Sequence, residues 1–273
     1  MAKPMPAKTR SYTMDSRHLL PAFRDAIALA YQGAVHRKNR KYVIDIGRAI
    51  RSAAFNMNDR MPVIDLKDLS SYLGCTEEKE IVLPSVGLIH GAGLGYVGPY
   101  ALLATITSAL QPKKILETGT FRGLGTLTMG LNAPNAEIYT VDLPDEVGGE
   151  EAATLSRGDK EWVRLSQGLK GAAFVGHPAE ARIHQIKADS LKMDVREFID
   201  IADFCFIDGG YSYECIKADT ENALKVLSPN GVIVWDDYNW FLEGVTGYLS
   251  ELARQLPLKR IFGSQFVIYR REG

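Results

Sequence analysis

Cysteine is scarce in this chain of 273 residues: there are three, Cys75, Cys205 and Cys215. An odd number with no C-x-x-C spacing offers no paired zinc ligands, and the expectation is reduced thiols buried in a core. An excess of one charge is also missing. Thirty-two basic residues face 33 acidic ones, a formal net charge of -1, so nothing electrostatic calls for nucleic acid or an anionic membrane, and a small molecule is the default partner. Long apolar runs are absent as well. Hydrophobic residues make up 46% but are dispersed, and no uninterrupted stretch could span a bilayer. The opening "MAKPMPAKTRSYTMDSRH" has no apolar core of a secretory signal, which predicts a flexible tail on a cytoplasmic protein.

What is present falls into two grammars. Up to about Leu110 the apolar residues recur at helical intervals, in "HLLPAFRDAIALAYQGAV", "YVIDIGRAIRSAAFN", "LKDLSSYL" and "YALLATITSAL", with Pro112 closing the last. A glycine-dense stretch holding His90, "GLIHGAGLGYVGPY", runs into that last helix. From Lys113 onward short apolar runs alternate with helix-like segments: "KKILET", "EIYTVDL", "RIHQIKAD", "DFCFID" and "GVIVWDD". Alternation of this kind predicts an α/β fold with a parallel sheet covered on both faces. The stretch between the second and third runs is long and rich in glycine and charge, a lid or substrate loop. "LKRIFGSQFVIYRR" predicts two strands joined at Gly263-Ser264, an antiparallel edge pair.

The acids sit at strand ends. "ILETGTFRGLGT" follows the first strand of this region and leads into a helix, where open parallel sheets bind nucleotides. Its spacing around Glu117, Gly119, Gly123 and Gly125 does not match G-x-G-x-x-G, and a carboxylate at Glu117 would repel a pyrophosphate. That disfavours a nicotinamide dinucleotide; a cationic adenosyl ligand reverses the argument, because Glu117 can then face an ammonium or sulfonium. The second strand ends at Asp142, where an acid accepts ribose hydroxyls, and the third at Asp189-Ser190, placed to meet an adenine edge. Asp208 ends the fourth and the adjacent Asp236 and Asp237 end the fifth. Two neighbouring acids repel, so either they face water in a turn or a divalent cation makes the pair favourable.

"IDGGYSYECIKADTENALKVLSPNGVIVWDDY" resembles the class I S-adenosylmethionine-dependent methyltransferases, within them the small-molecule O-methyltransferases whose signature runs I-D-G-x-H-S-Y-E and then L-x-P-G-G-V-I. The resemblance covers about Leu94 to Arg271. It implies a Rossmann-like fold with a mostly parallel seven-stranded sheet and an antiparallel C-terminal strand, in residues 94–273, with a lid at 145–181. A helical extension, residues 1–93, would precede it, walling the acceptor pocket and supporting a homodimer or higher homo-oligomer. It also implies S-adenosylmethionine as cofactor: Glu117, Gly119, Thr120 and Gly123 at its methionine end, Asp142 with Leu143 at the ribose, Asp189 and Ser190 at the adenine, and Asp208 closing the pocket. In metal-dependent members an acid trio binds Mg²⁺, here Asp208, Asp236 and Asp237, and the catalytic group would be Asp208, Tyr211 and Asp236. Tyr211 stands where the signature has histidine. It is a poor base, and it either holds a substrate oxygen or packs over the cofactor. The implied activity is transfer of a methyl group to a small-molecule hydroxyl of a secondary metabolite, sugar or phenol; metal-free N- or O-methylation and non-catalytic adenosyl binding are the alternatives. His177 is a second possible base, His184 a structural residue, Trp235 a sheet residue and Trp240 a platform for a substrate ring.

Overall fold

A computed structural model describes residues 40–85, 97–146, 157–198 and 200–272. The expected first helix, the glycine-dense stretch with His90 and part of the expected lid lie outside the described residues. The chain forms two compact units, Met1–Arg60 with Asn239–Phe241 and Met61–Tyr238 with Leu242–Gly273.

In the first unit, helix α1 spans Arg40–Asn58, as its periodicity predicts. The Arg51 guanidinium lies over the Trp240 ring, 5.2 Å from its centroid. A cation thus occupies a face of the indole expected to receive a substrate ring.

The second unit is built on one eight-stranded sheet in the order β1-β7-β8-β6-β5-β2-β3-β4. In chain order its elements are β1 (Val63–Ile64), α2 (Leu66–Leu73), α3 (Val97–Leu110), β2 (Lys114–Thr118), α4 (Leu124–Asn132), β3 (Glu137–Asp142), α5 (Arg157–Ser166), β4 (Ile183–Lys187), β5 (Ala202–Ile207), α6 (Tyr213–Val226), β6 (Leu227–Trp235), α7 (Glu243–Leu252), β7 (Lys259–Ile261) and β8 (Val267–Arg270). The runs from "KKILET" to "GVIVWDD" form the five parallel strands β2 to β6. Seven strands were expected; Val63–Ile64 adds an eighth by pairing parallel with β7, too short for alternation to reveal it. The antiparallel pair β7 and β8 exists, but β8 is inserted between β6 and β7, so β8 alone opposes the other strands. The sheet unit therefore begins at Met61, well before the expected boundary at 94.

Strand alternation divides the side chains between two layers. Ile115, Phe204, Phe206, Val232 and Val234 pack with Leu69 and Leu73 of α2, Leu103 and Ile106 of α3 and Met129 of α4. The opposite parity includes Trp235, fully buried, whose Nε1 donates to Thr220 Oγ1 of α6 at 2.8 Å. Its expected place in the sheet is correct. Strand order reverses between β2 and β5, which makes the crevice at their carboxyl ends the switch point where such sheets bind ligands.

Candidate active site

Hydrogen bonds carry the sheet ladder one residue past its strands. Gly119 N–H donates to the Val141 carbonyl (2.8 Å), Ala188 N–H to that of Asp142 (2.9 Å), Asp208 N–H to that of Thr118 (2.9 Å) and Asp236 N–H to that of Ile207 (3.0 Å). These bonds set Gly119, Asp142, Asp208 and Asp236 along one edge, as their strand-end positions predict. At the switch point the backbones of β2 and β5 nearly touch. A Cβ on Gly119, at φ +93°, would lie 1.9 Å from the Asp208 carbonyl oxygen, so no other residue fits that turn.

Phe121 also has a positive φ, 45°, an unfavourable conformation for a bulky residue. Its N–H is held by Asp142 Oδ2 at 2.7 Å, while Asp142 Oδ1 lies 3.1 Å from the Lys170 ammonium. Thus the expected ribose acceptor is oriented from both sides, and its side chain keeps 15% exposure. Lys170 also donates to the carbonyl of Leu143. Asp189 caps a short 3₁₀ turn through Leu191 N–H at 3.1 Å and pairs with Lys192; the Ser190 carbonyl accepts from Asn222. At the ends of β3 and β4 the carboxylates of Asp142 and Asp189 supply acceptors of the kind an adenosyl ribose and base require, while the Ser190 hydroxyl bonds the buried Asp219.

Glu117 behaves otherwise. Strand parity turns it toward α4, it is 1% exposed, and one carboxylate oxygen accepts hydrogen bonds from Thr126 and, at 2.6 Å, from Thr140. Thr120 Oγ1 lies 2.6 Å from Thr140 Oγ1, so the hydroxyls form a chain from the glycine loop to the acid. Burial raises the Glu117 carboxyl to about 7 against the pull of both threonines. Rather than standing open to a cofactor's ammonium, it braces the underside of the loop. Thr126 and Thr140 were not singled out in the sequence; a hydroxyl one turn into the helix and another two residues before Asp142 were the available signals.

Asp208, Asp236 and Asp237 are partly buried and perturb one another. Desolvation, then Asp236 and Asp237, push Asp208 well up. Desolvation and then Asp237 raise Asp236 to about 8. Asp237 rises to about 6 through desolvation, opposed by a hydrogen bond from the Tyr211 hydroxyl. Burial and these same acids raise the Tyr211 hydroxyl far above its ordinary value, which keeps it protonated: it is a donor to Asp237 and not a base. The expected Mg²⁺ cage does not form from these side chains as they stand, for among the described residues no three His, Cys, Asp or Glu side chains are grouped to hold a metal ion. Asp237, at φ 65°, is bound to Tyr211, and its own N–H donates to Asp236 Oδ1 at 2.6 Å. The two neighbours are therefore tied to each other and to the tyrosine.

The described part of the expected lid is folded onto this edge. Asp159 of α5 accepts from Tyr211 N–H at 2.9 Å, Trp162 packs edge-on against Phe121 with centroids 5.5 Å apart, and Phe174 lies against Gly123. Asp159 and Lys170 went unnoticed in the sequence, where only the "GLKG" turn punctuates that stretch. His177 starts a 3₁₀ turn, where its Nδ1 accepts from Ala179 N–H at 3.0 Å and caps the turn. His184 pairs with Glu137 and stacks on Tyr139, a structural role as expected.

Residues 116–238 match the family described as a methyltransferase domain. The O-methyltransferase hkm8 of Aspergillus hancockii is 29% identical over 173 residues, 61% of this chain and 60% of that protein, so the chain spans less than two thirds of that relative's length. Similar solved structures include the O-methyltransferase TomG of Streptomyces achromogenes, involved in tomaymycin synthesis and bound to S-adenosylmethionine, at 17% identity, covering 64% of this chain and 80% of that one with a TM-score of 0.47. The O-methyltransferase NovP is 16% identical over 66% of this chain and 81% of its own, with a TM-score of 0.48. The segment that matches the methyltransferase-domain family, residues 116–238, is the one whose strand ends bring Asp142, Asp208 and Asp236 to this edge.

Proposed function

We propose that this protein is an S-adenosylmethionine-dependent methyltransferase acting on a hydroxyl of a small molecule. The observation that carries this reading is the Asp142 carboxylate, fixed by Phe121 and Lys170 yet still partly open beside the switch-point turn at Gly119. When bound, S-adenosylmethionine supplies a methyl group already activated by its sulfonium. What remains for the chain is alignment and removal of one proton. Asp142 accepts from the ribose, Asp189 and Ser190 border the adenine, and Asp208 lines the crevice at the turn. Asp236, whose carboxyl sits near 8, is matched to taking a hydroxyl proton close to neutral pH, and Tyr211 orients its neighbour Asp237. The acceptor's class, a secondary metabolite, sugar or phenol, is what the sequence resemblance implies, and a hydroxyl as the acceptor group agrees with the name of the O-methyltransferase hkm8.

A second reading adds Mg²⁺. It rests on the mutual repulsion of Asp208, Asp236 and Asp237, which a cation held by one or two of these carboxylates, with water completing its shell, would relieve. It would also lower the pKa of a bound hydroxyl.

Calorimetry with S-adenosylhomocysteine and with NAD tests the class. Binding of the thioether and not of NAD is expected; the converse refutes it. Mg²⁺ titration of chelator-treated protein, followed by heat of binding, tests the second reading, and no binding at millimolar metal would leave the carboxylates to act alone.

A further inference from the structure

A lysine ammonium taken out of water is stable only beside a counter-charge. Lys170 meets this condition with residues of the cofactor edge. Its side chain is 1% exposed, and its Nζ engages Asp142 Oδ1 at 3.1 Å and the Leu143 carbonyl. Phe121 N–H takes the other Asp142 oxygen at 2.7 Å. Each carboxylate oxygen carries two lone pairs, so one acceptor position on each oxygen is left for a ligand diol. The lysine does not arrive on a loose arm. Gly171 N–H donates to the Phe121 carbonyl at 2.9 Å and Ala173 N–H to that of Arg122 at 2.8 Å. A Cβ on Gly123 would lie 2.6 Å from the Phe174 ring. The turn carrying Lys170 is thus fastened to the same loop that carries Phe121, and the two grips on Asp142 form one rigid assembly.

We infer that Lys170 is a positioning residue of the cofactor site: it locks Asp142 in the orientation that offers its remaining lone pairs to the 2′- and 3′-hydroxyls of the adenosyl ribose. The inference rests on the methyltransferase reading above. Without the ammonium, Asp142 keeps one partner, and the broad torsion about its carboxylate lets the acceptor wander. Orientation gained before binding is then lost from the affinity.

The experiment titrates the full chain with S-adenosylhomocysteine and with its 2′-deoxy analogue, as wild type, Lys170→Met and Lys170→Arg. Wild type should favour the complete ribose roughly tenfold, the worth of a hydrogen bond to a charged acceptor. Lys170→Met should bring the two ligands within about twofold of each other, and Lys170→Arg should restore most of the preference. Lost packing alone would weaken both ligands equally and leave their ratio unchanged. If Lys170→Met does not fold, Lys170→Leu, which likewise lacks a donor, is read by the same ratio. A neutral variant with the wild-type ratio overturns the role of Lys170 and leaves the cofactor reading standing. A wild type indifferent to the 2′-hydroxyl, or binding neither ligand, overturns the ribose reading and this inference with it.

Discussion

Glu117→Gln should change how the protein's stability depends on pH. The wild-type carboxyl ionises near 4.5 in the unfolded chain and at about 7 in the folded one, because burial penalises its charge more than Thr126 and Thr140 favour it. Between those values the native state holds the proton that the unfolded state has released, so stability falls as pH rises through the window. At 1.36 kcal/mol per pH unit the displacement amounts to about 3 kcal/mol. Glutamine keeps the shape and an oxygen to accept from the threonines but cannot ionise. Urea unfolding of both proteins at half-unit steps from pH 4 to pH 8 follows this residue, together with the smaller effect of its charge on Asp208. The stability of wild type minus that of Glu117→Gln should be constant below about pH 4.5, fall by about 3 kcal/mol, and level off above about pH 7. A flat difference would refute the buried, hydroxyl-bound carboxylate. A difference that rose with pH would mean that Glu117 has a cationic partner.

Thr140→Val preserves volume but removes the link between Thr120 and Glu117, and denaturant unfolding should show a loss of about 1–3 kcal/mol. Gly119→Ala forces a methyl group into the Asp208 carbonyl at a positive φ; it should lower stability by about 3 kcal/mol or more and abolish thioether binding in the same calorimeter. Tyr211→Phe deletes the donor to Asp237 and should reduce turnover roughly tenfold while S-adenosylhomocysteine affinity stays within about twofold; equal losses in both would place Tyr211 in the cofactor pocket. His177→Ala should cost about 1 kcal/mol of stability, a lost cap, with no effect on turnover, and an inactive variant would identify it as a base.

Strand positions and the acids at their ends were legible because a strand buried on both faces is a continuous apolar run, and the change to carboxylate marks where the sheet meets solvent. Helix α2 was found for a related reason, since "LKDLSSYL" repeats at helical spacing and ends at Gly74 in the left-handed conformation. Val63–Ile64 escaped because two residues carry no period. The partners of the acids escaped for another reason. Glu117 reads as an open ligand in one dimension, but strand parity turns it toward α4, and only the folded chain brings Thr126 and Thr140 against it. Lys170 lies 28 positions after Asp142 in the sequence across a segment with no regular pattern, and no local signal joins the two.

The place of β8 bears on how the molecule is made. It is sandwiched between β6 and β7, and Arg270 at its end donates to the Tyr72 carbonyl at 2.8 Å, while β1 waits for β7. On the ribosome, the parallel strands up to β6 emerge with one flank unpaired, and the residues that close it are synthesised almost two hundred positions after β1. Pairings this distant in sequence form slowly, and an exposed strand edge is a site of misassembly until they do. The nascent chain is therefore most vulnerable to aggregation in the interval between the emergence of Trp235 and that of Arg270, and a ribosome stalled there would hold a nearly complete site on an open sheet.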